Sequence, residues 1–221
     1  PEQAREIPGL GTICFHPSLL PIHRGPSSIN WPIIWGARKT GLTIFWPDDG
    51  LDEGDVLLQK EVEITANDTL GSVYFNKIFP LGIEAILEAV ELIRGGNAPH
   101  TAQDDSLATY ESWCRRENAE IDWQRSASEV YNLIRGCNPQ PGAWTTFSDE
   151  VVQIFDVELT QGNGRVGRVC ALDAASFTIN AGLGGIKIKR LRLGRGPKVD
   201  AAEFIIQHGL KVGDRFGVKA K

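Results

Sequence analysis

What most constrains the fold is a change of hydrophobic period along the chain. In the first part, Leu70, Val73, Ile83, Ile86, Leu87, Val90 and Ile93 recur at helical spacing and stop at Gly95-Gly96, the pattern of a helix with a glycine end. Asn67, Asp68 and Thr69 offer capping oxygens ahead of it, and Pro80 predicts a kink or a separate first turn. Before that helix, residues 11–16 read as a strand stopped by Pro17, 17–28 as a loop and 29–36 as a short helix with Pro32 in its first turn. Residues 41–46 read as a buried strand and 56–64 as an alternating one. From Val151 onward the period is that of strands only: residues 151–159, 165–172, 176–179, 185–193 and 214–218 are β-type runs between Gly, Asn and Asp turns. The first part is therefore expected to be α/β and the last a small antiparallel barrel.

Between the two lies a polar, aperiodic stretch, residues 97–109, which reads as a linker. Beyond it Ser126 and Glu129 form a capping box before a short helix carrying Val130, Leu133 and Ile134, stopped by Gly136 and Pro139. The expected division is a first domain over residues 1–96, a linker over 97–114 and a second domain over 115–221. Charge divides in the same way. Residues 1–164 carry a net −13 and residues 165–221 a net +8, which the total of −5 conceals. A basic segment on an acidic body suits a polyanionic partner, and equally a solvated face.

Several classes are excluded on composition. No apolar run approaches the roughly 20 residues a bilayer span needs, so no membrane association is expected. Cys14, Cys114, Cys137 and Cys170 lie far apart, as reduced thiols of a cytoplasmic protein do. His16, His23, His100 and His208 lack the spacing of a zinc site, so no metal is expected. The sequence begins at Pro1 and has no Met, from which further chain upstream is expected.

Two features carry chemistry. His16 ends a strand, and Asp48, Asp49, Asp52, Glu53 and Asp55 crowd one short turn between two strands. Crowded anions repel, and either solvent or a cation relieves the repulsion. Loops at strand ends line the crevice of an α/β sheet, where a His facing a carboxylate makes an acid/base pair.

The run His16-Pro17-Ser18-Leu19-Leu20-Pro21, then His23-Arg24-Gly25, and then Leu51-Asp52-Glu53-Gly54-Asp55, resembles the folate-dependent formyltransferase family. That family includes methionyl-tRNA formyltransferase and the hydrolase domain of 10-formyltetrahydrofolate dehydrogenase. Residues 121–123 and 135–144 are similar to the start of its C-terminal domain. The resemblance implies the C-terminal portion of a Rossmann-like formyltransferase domain followed by a small OB-like β-barrel, with the Rossmann-like N-terminal half expected before Pro1. It implies 10-formyltetrahydrofolate as formyl donor, His16 and Asp52 as catalytic residues, and Ser18, Leu19, Leu20 and Pro21, with Asp52, as the folate-contacting set. Alone, residues 1–221 are expected to be poorly soluble or inactive.

The acceptor implied first is an amine, most often methionyl-tRNA, and water is the alternative. Two departures bear on it: the transferases carry Asn where this chain has Cys14, and a basic residue where it has Ile22. The stretches 26–31 and 44–50 resemble the hydrolase domain more than the tRNA enzyme. For a tRNA partner the expected contacts are Lys187, Lys189, Arg190 and Arg192 on an alternating basic strand, with Arg195 and Lys198 nearby. A non-catalytic folate- or RNA-binding relic is the remaining alternative.

Overall fold

The structure, a computed structural model, describes residues 5–217. The chain forms two compact units: one runs up to Ile33 and from Ala37 to Trp113, and the other takes in Ile34–Gly36 and the chain from Cys114 onward.

In the first unit β1 (Cys14–His16), β2 (Lys39–Phe45) and β3 (Val56–Glu63) form a three-stranded sheet in the order β1-β2-β3. Both pairings are antiparallel, with His16 opposite Thr43 and Ile44 opposite Leu58. The ten-residue turn from β2 to β3 reverses the chain, whereas parallel neighbours need a longer crossover. A short helix, α1 (Asn30–Ile34), precedes β2.

The long helical segment is continuous but not uniform. Its first part, α2 (Leu70–Val73), is capped by Thr69, whose hydroxyl accepts from the Ser72 N–H while Ser72 Oγ accepts from the Thr69 N–H. One π turn (Tyr74–Ile78) then leads into α3 (Phe79–Arg94). The Phe79 N–H reaches back to the Tyr74 carbonyl, and this widened turn admits Pro80, which has no N–H to give, without breaking the helix. The face that α3 buries also differs from expectation. Gly82, Ala85 and Ala89 are the buried residues, and Ile83, Ile86, Leu87 and Val90 are exposed. Beside the acidic stripe of Glu84, Glu88 and Glu91 the helix has two apolar faces, and the small side chains of one allow the closer approach: a Cβ on Gly82 would stand 2.9 Å from the Phe15 ring.

The segment expected as a linker is instead bound into the first unit as far as Trp113. Thr101 pairs with Val56, and Arg24 pairs with Tyr110 in a parallel bridge. A polar, aperiodic sequence gives no sign of such pairing because the partners are backbone groups.

In the second unit the Ser126–Glu129 capping box starts α4 (Ala127–Gly136) as expected. The sheet comprises β4 (Trp144–Phe147), β5 (Glu150–Thr160), β6 (Val169–Leu172), β7 (Phe177–Asn180) and β8 (Gly185–Leu193), in the order β4-β5-β8-β7-β6. Bridges from Phe147 to Phe216 and from Arg168 to Arg215 curl its two edges toward one another. Of the last expected strand, 214–218, only these bridges at 215 and 216 appear, and Val218 lies outside the described residues. Two elements absent from the sequence reading complete the unit: β9 (Val199–Asp200) on β8, and α5 (Ala201–His208), ended by Gly209 in left-handed geometry at φ 57°. A single core fills the unit, including Ile134, Ile154, Phe177, Ile186, Phe204 and Phe216. Among the described residues no helix is long and apolar enough to cross a membrane.

Candidate active site

The site is built where β1 ends. His16 is opposite Thr43 on β2, and the loop that follows is nailed to the same threonine. Thr43 Oγ1 donates to the Ser18 carbonyl at 2.7 Å and accepts from the Leu20 N–H at 3.1 Å. Gln59 Nε2 donates to both Thr43 Oγ1 and the Leu20 carbonyl. Leu19 packs over Gly41, where a Cβ would lie 2.5 Å from Leu19 Cδ2.

This geometry divides the loop residues. Ser18 is fully buried and its hydroxyl donates to the Ile22 carbonyl at 2.6 Å, so it is no nucleophile. Leu20 is likewise a core side chain. Leu19 and Pro21 are half-buried, and Leu20–Pro21 is a cis peptide.

His16 is 7% exposed. Its Nε2 donates to the His23 carbonyl at 2.8 Å, and its Nδ1 faces Asp52 Oδ2 at 3.4 Å. A carbonyl only accepts, so the proton of the neutral ring sits on Nε2 and Nδ1 is turned to the carboxylate. The 3.4 Å separation is longer than a well-formed hydrogen bond. Asp52 holds a left-handed backbone, φ 59°. Its Oδ2 accepts from the Gly25 N–H at 2.8 Å and its carbonyl from Gln103 Nε2 at 2.8 Å. Its Oδ1 has no hydrogen bond among the described residues. Gly25, at φ 91°, has no room for a side chain: a Cβ would stand 2.7 Å from the Glu111 carbonyl oxygen.

The acidic turn solves its repulsion one carboxylate at a time. Arg5 pairs with Asp49, His16 faces Asp52, Tyr110 donates to Glu53 at 2.6 Å, and His100 stands 3.6 Å from Asp55. Behind the turn Arg24, 1% exposed, donates to Gln103, Asp105 and Tyr110. Burial pulls its pKa down, but the bonds to Asp105 and Tyr110 outweigh burial and hold the guanidinium above its ordinary value. His23 pairs with Glu111 at 3.0 Å. Glu111, Gln103, Asp105 and Tyr110 lie 79 or more residues from the histidine and the arginine they meet, and no local signal in the sequence gives them away. Among the described residues no group of three or more His, Cys, Asp or Glu is arranged to hold a metal ion.

The basic strand is interrupted by a bulge. Asp156 pairs with Arg190 and Val157 with Ile188, so Phe155 and Lys189 fall out of register and Lys189 and Arg190 both turn outward. Lys187 stands 3.7 Å from Asp173 and Lys189 is paired with Glu158. Arg192 bonds Gln153, and its guanidinium lies 5.6 Å from the Phe155 ring, over which Lys198 Nζ sits at 3.7 Å. Burial, then repulsion from Arg192 and Arg190, lowers the Lys198 pKa.

Comparison with known proteins fits this arrangement. A formyl transferase family model matches residues 1–90, and a model of the formyl transferase C-terminal domain matches residues 114–209. Methionyl-tRNA formyltransferase of Syntrophus aciditrophicus is 34% identical over 98% of the chain, which spans 70% of that protein. The chain belongs to the formyl transferase family. Mitochondrial 10-formyltetrahydrofolate dehydrogenase of Homo sapiens is 47% identical over 68% of the chain, and the cytosolic enzyme of Xenopus laevis 43% over 73%. The chain spans only 16% and 18% of those two relatives. In structure it resembles HypX from Aquifex aeolicus solved in complex with tetrahydrofolic acid, with a TM-score of 0.73 and 24% identity over 92% of this chain and 36% of that one. An N-formyltransferase from Helicobacter canadensis gives 0.63 at 22% identity over 80% of this chain and 64% of that one. At these identities the structural likeness establishes the α/β formyl transferase fold.

Proposed function

We propose that the intact protein removes the formyl group of 10-formyltetrahydrofolate, with His16 and Asp52 as the reacting side chains. The observation that carries this reading is the 3.4 Å gap between His16 Nδ1 and Asp52 Oδ2, a buried ring and a half-buried carboxylate, each held from behind. Attack on a formyl amide creates an oxyanion and leaves the nucleophile a proton to lose. Because the His16 Nε2–H is committed to the His23 carbonyl, the bare Nδ1 takes the proton the nucleophile loses. Nδ1–H then donates to the oxyanion while the facing Asp52 carboxylate steadies the imidazolium, and passes the proton to the departing folate nitrogen. Leu19 and Pro21 are the members of the set that remain for the folate, since the Ser18 hydroxyl and the Leu20 side chain are turned inward and the backbone of Ser18 and Leu20 is committed to Thr43 and Gln59.

Water is the acceptor this reading favours over the amine first inferred from the sequence. Cys14 in place of the transferases' Asn supports it, as does the higher identity to proteins named 10-formyltetrahydrofolate dehydrogenase than to the methionyl-tRNA enzyme. A tRNA amine is the second reading. Arg192 and Lys198 over the Phe155 ring, with Arg190 close enough to repel Lys198, favour it, and they replace Lys187 and Lys189, whose charges are already answered. The curled second-unit sheet suits the OB-like barrel expected for such a platform.

Formyl-labelled 10-formyltetrahydrofolate given to the intact protein with and without methionyl-tRNA tests both. Label is expected in formate under both conditions. Label in the aminoacyl group would install the tRNA reading, and no release under either condition would overturn the proposal.

A further inference from the structure

The peptide that accepts the His16 proton is itself held by a second histidine–carboxylate pair, one the proposed chemistry does not use. His23 sits in left-handed geometry, φ 62°, a conformation that costs a β-carbon residue of order 1 kcal/mol or more and persists only where its surroundings over-determine it. They do so here. The His23 N–H donates to Thr109 Oγ1 at 2.8 Å, its Nδ1 donates to Glu111 Oε1 at 3.0 Å, and Thr109 Oγ1 donates to that same oxygen at 2.8 Å. One residue on, the Arg24 N–H donates to the Thr109 carbonyl and the Glu111 N–H to the Arg24 carbonyl. The His23 carbonyl is thereby aimed at His16 Nε2.

We propose that His23, Thr109 and Glu111 are positioning residues that set the tautomer and orientation of the His16 ring. Were the His23 carbonyl free to turn away, Nε2 would lose its acceptor, the proton would redistribute between the two nitrogens, and Nδ1 would no longer be fixed on Asp52. The Glu111 side chain is 6% exposed, and its Oε2 has no partner among the described residues. A buried carboxylate oxygen left unserved is costly, and the other oxygen offsets that cost by gathering the donors of both His23 and Thr109.

The test reads the ring directly. Histidine ring ¹⁵N–¹H spectra of the intact protein, assigned with His16→Ala, are expected to place the His16 proton on Nε2, and Glu111→Gln and Thr109→Val are each expected to shift His16 toward mixed tautomers. In turnover of 10-formyltetrahydrofolate the same variants are expected to lose about 10- to 100-fold in kcat, with KM changed by less than about twofold, the signature of a misplaced group. His16 signals unchanged in a folded Glu111→Gln protein would overturn the proposal. Should that variant fail to fold, Thr109→Val decides by the same criterion. The kinetic arm rests on the reading of His16 as the reacting histidine, whereas the spectral arm does not: tautomer shifts in a protein with no turnover would defeat that reading and leave the positioning role standing.

Discussion

The first unit buries more polar side chains than the second and splits its apolar core in two, whereas the second closes on one core. In this unit His16, Ser18, Arg24, Asn30, Thr43 and Asp68 are all buried, and the apolar residues are split between a cluster of Ile29, Ile33, Val62, Ile64, Val73 and Ile78 and another of Leu42, Ile44, Leu57, Ala85 and Ala89. In the second unit one uninterrupted core runs from Ala119 to Phe216, with Phe147, Phe177, Phe204 and Phe216 in mutual ring contact. The difference teaches where each unit spends its order. Holding an imidazole and a carboxylate at fixed separation takes hydrogen-bonded loops, and such loops displace apolar packing. A unit without that task closes on a single core.

The contrast breaks most visibly under a pair of substitutions. His16→Ala is expected to cost on the order of 10²–10⁴ in turnover with little change in melting temperature. Phe204→Ala, at a side chain 1% exposed, is expected to cost about 3–5 kcal/mol of stability measured by denaturant unfolding, with turnover kept in the protein that remains folded. The reverse pattern, a stability loss at His16 and none at Phe204, would overturn the comparison.

A middle-sized effect sharpens it. Asp68 is 9% exposed at its side chain and receives bonds from Lys77, Thr65 and Ser72. Burial alone would raise its pKa, but those bonds prevail, Lys77 foremost, and bring it from 3.8 to about 2. A carboxyl depressed on folding stabilises the protein above its unfolded pKa, and that contribution fades as pH falls from about 4 to about 2. Asp68→Asn is therefore expected to lose about 2 kcal/mol at neutral pH, with the gap to wild type closing across that window in urea titrations. A gap constant with pH would show that the charge is not what holds the loop.

The smallest effect is expected on the outer face of α3. Leu87, 63% exposed, should tolerate Gln within about 0.5 kcal/mol, whereas a core leucine would not. Thermal unfolding checks this, and a loss of several kcal/mol would mean that the exposed face is packed.

Part of this is legible in the sequence, and for local reasons. His16 and Asp52 stand at a strand end and in a charge-crowded turn, both visible in a few consecutive residues, and the capping boxes of α2 and α4 are likewise short-range patterns. What escaped was non-local or masked. His23–Glu111 and the Arg24 cluster join residues far apart in sequence, through a segment whose polarity resembles a linker. The Phe155/Lys189 bulge explains why the basic strand breaks its alternation, but a break alone does not distinguish a bulge from a turn. On α3 the large apolar residues suggested the core face and the small ones made it, because helix-to-sheet distance, not hydrophobicity alone, decides which face fits. In α5, Asp200 at the cap, Ala201 and Phe204 three apart and Gly209 at the stop were sufficient signals, overshadowed by the surrounding strands.

The π turn before Pro80 has one more consequence. Each residue advances a helix by about 100°, so the extra residue in that turn sets the phase of everything after it. Deleting one position between Tyr74 and Ile78 would restore ordinary spacing and rotate α3 by that angle, carrying Ala85 and Ala89 away from Leu42, Ile44 and Leu57 and bringing bulkier side chains around to the sheet. The turn works like the offset on a dial: it selects which of two apolar faces meets the strands that carry Thr43 and Gln59, and so how closely the support for His16 is held.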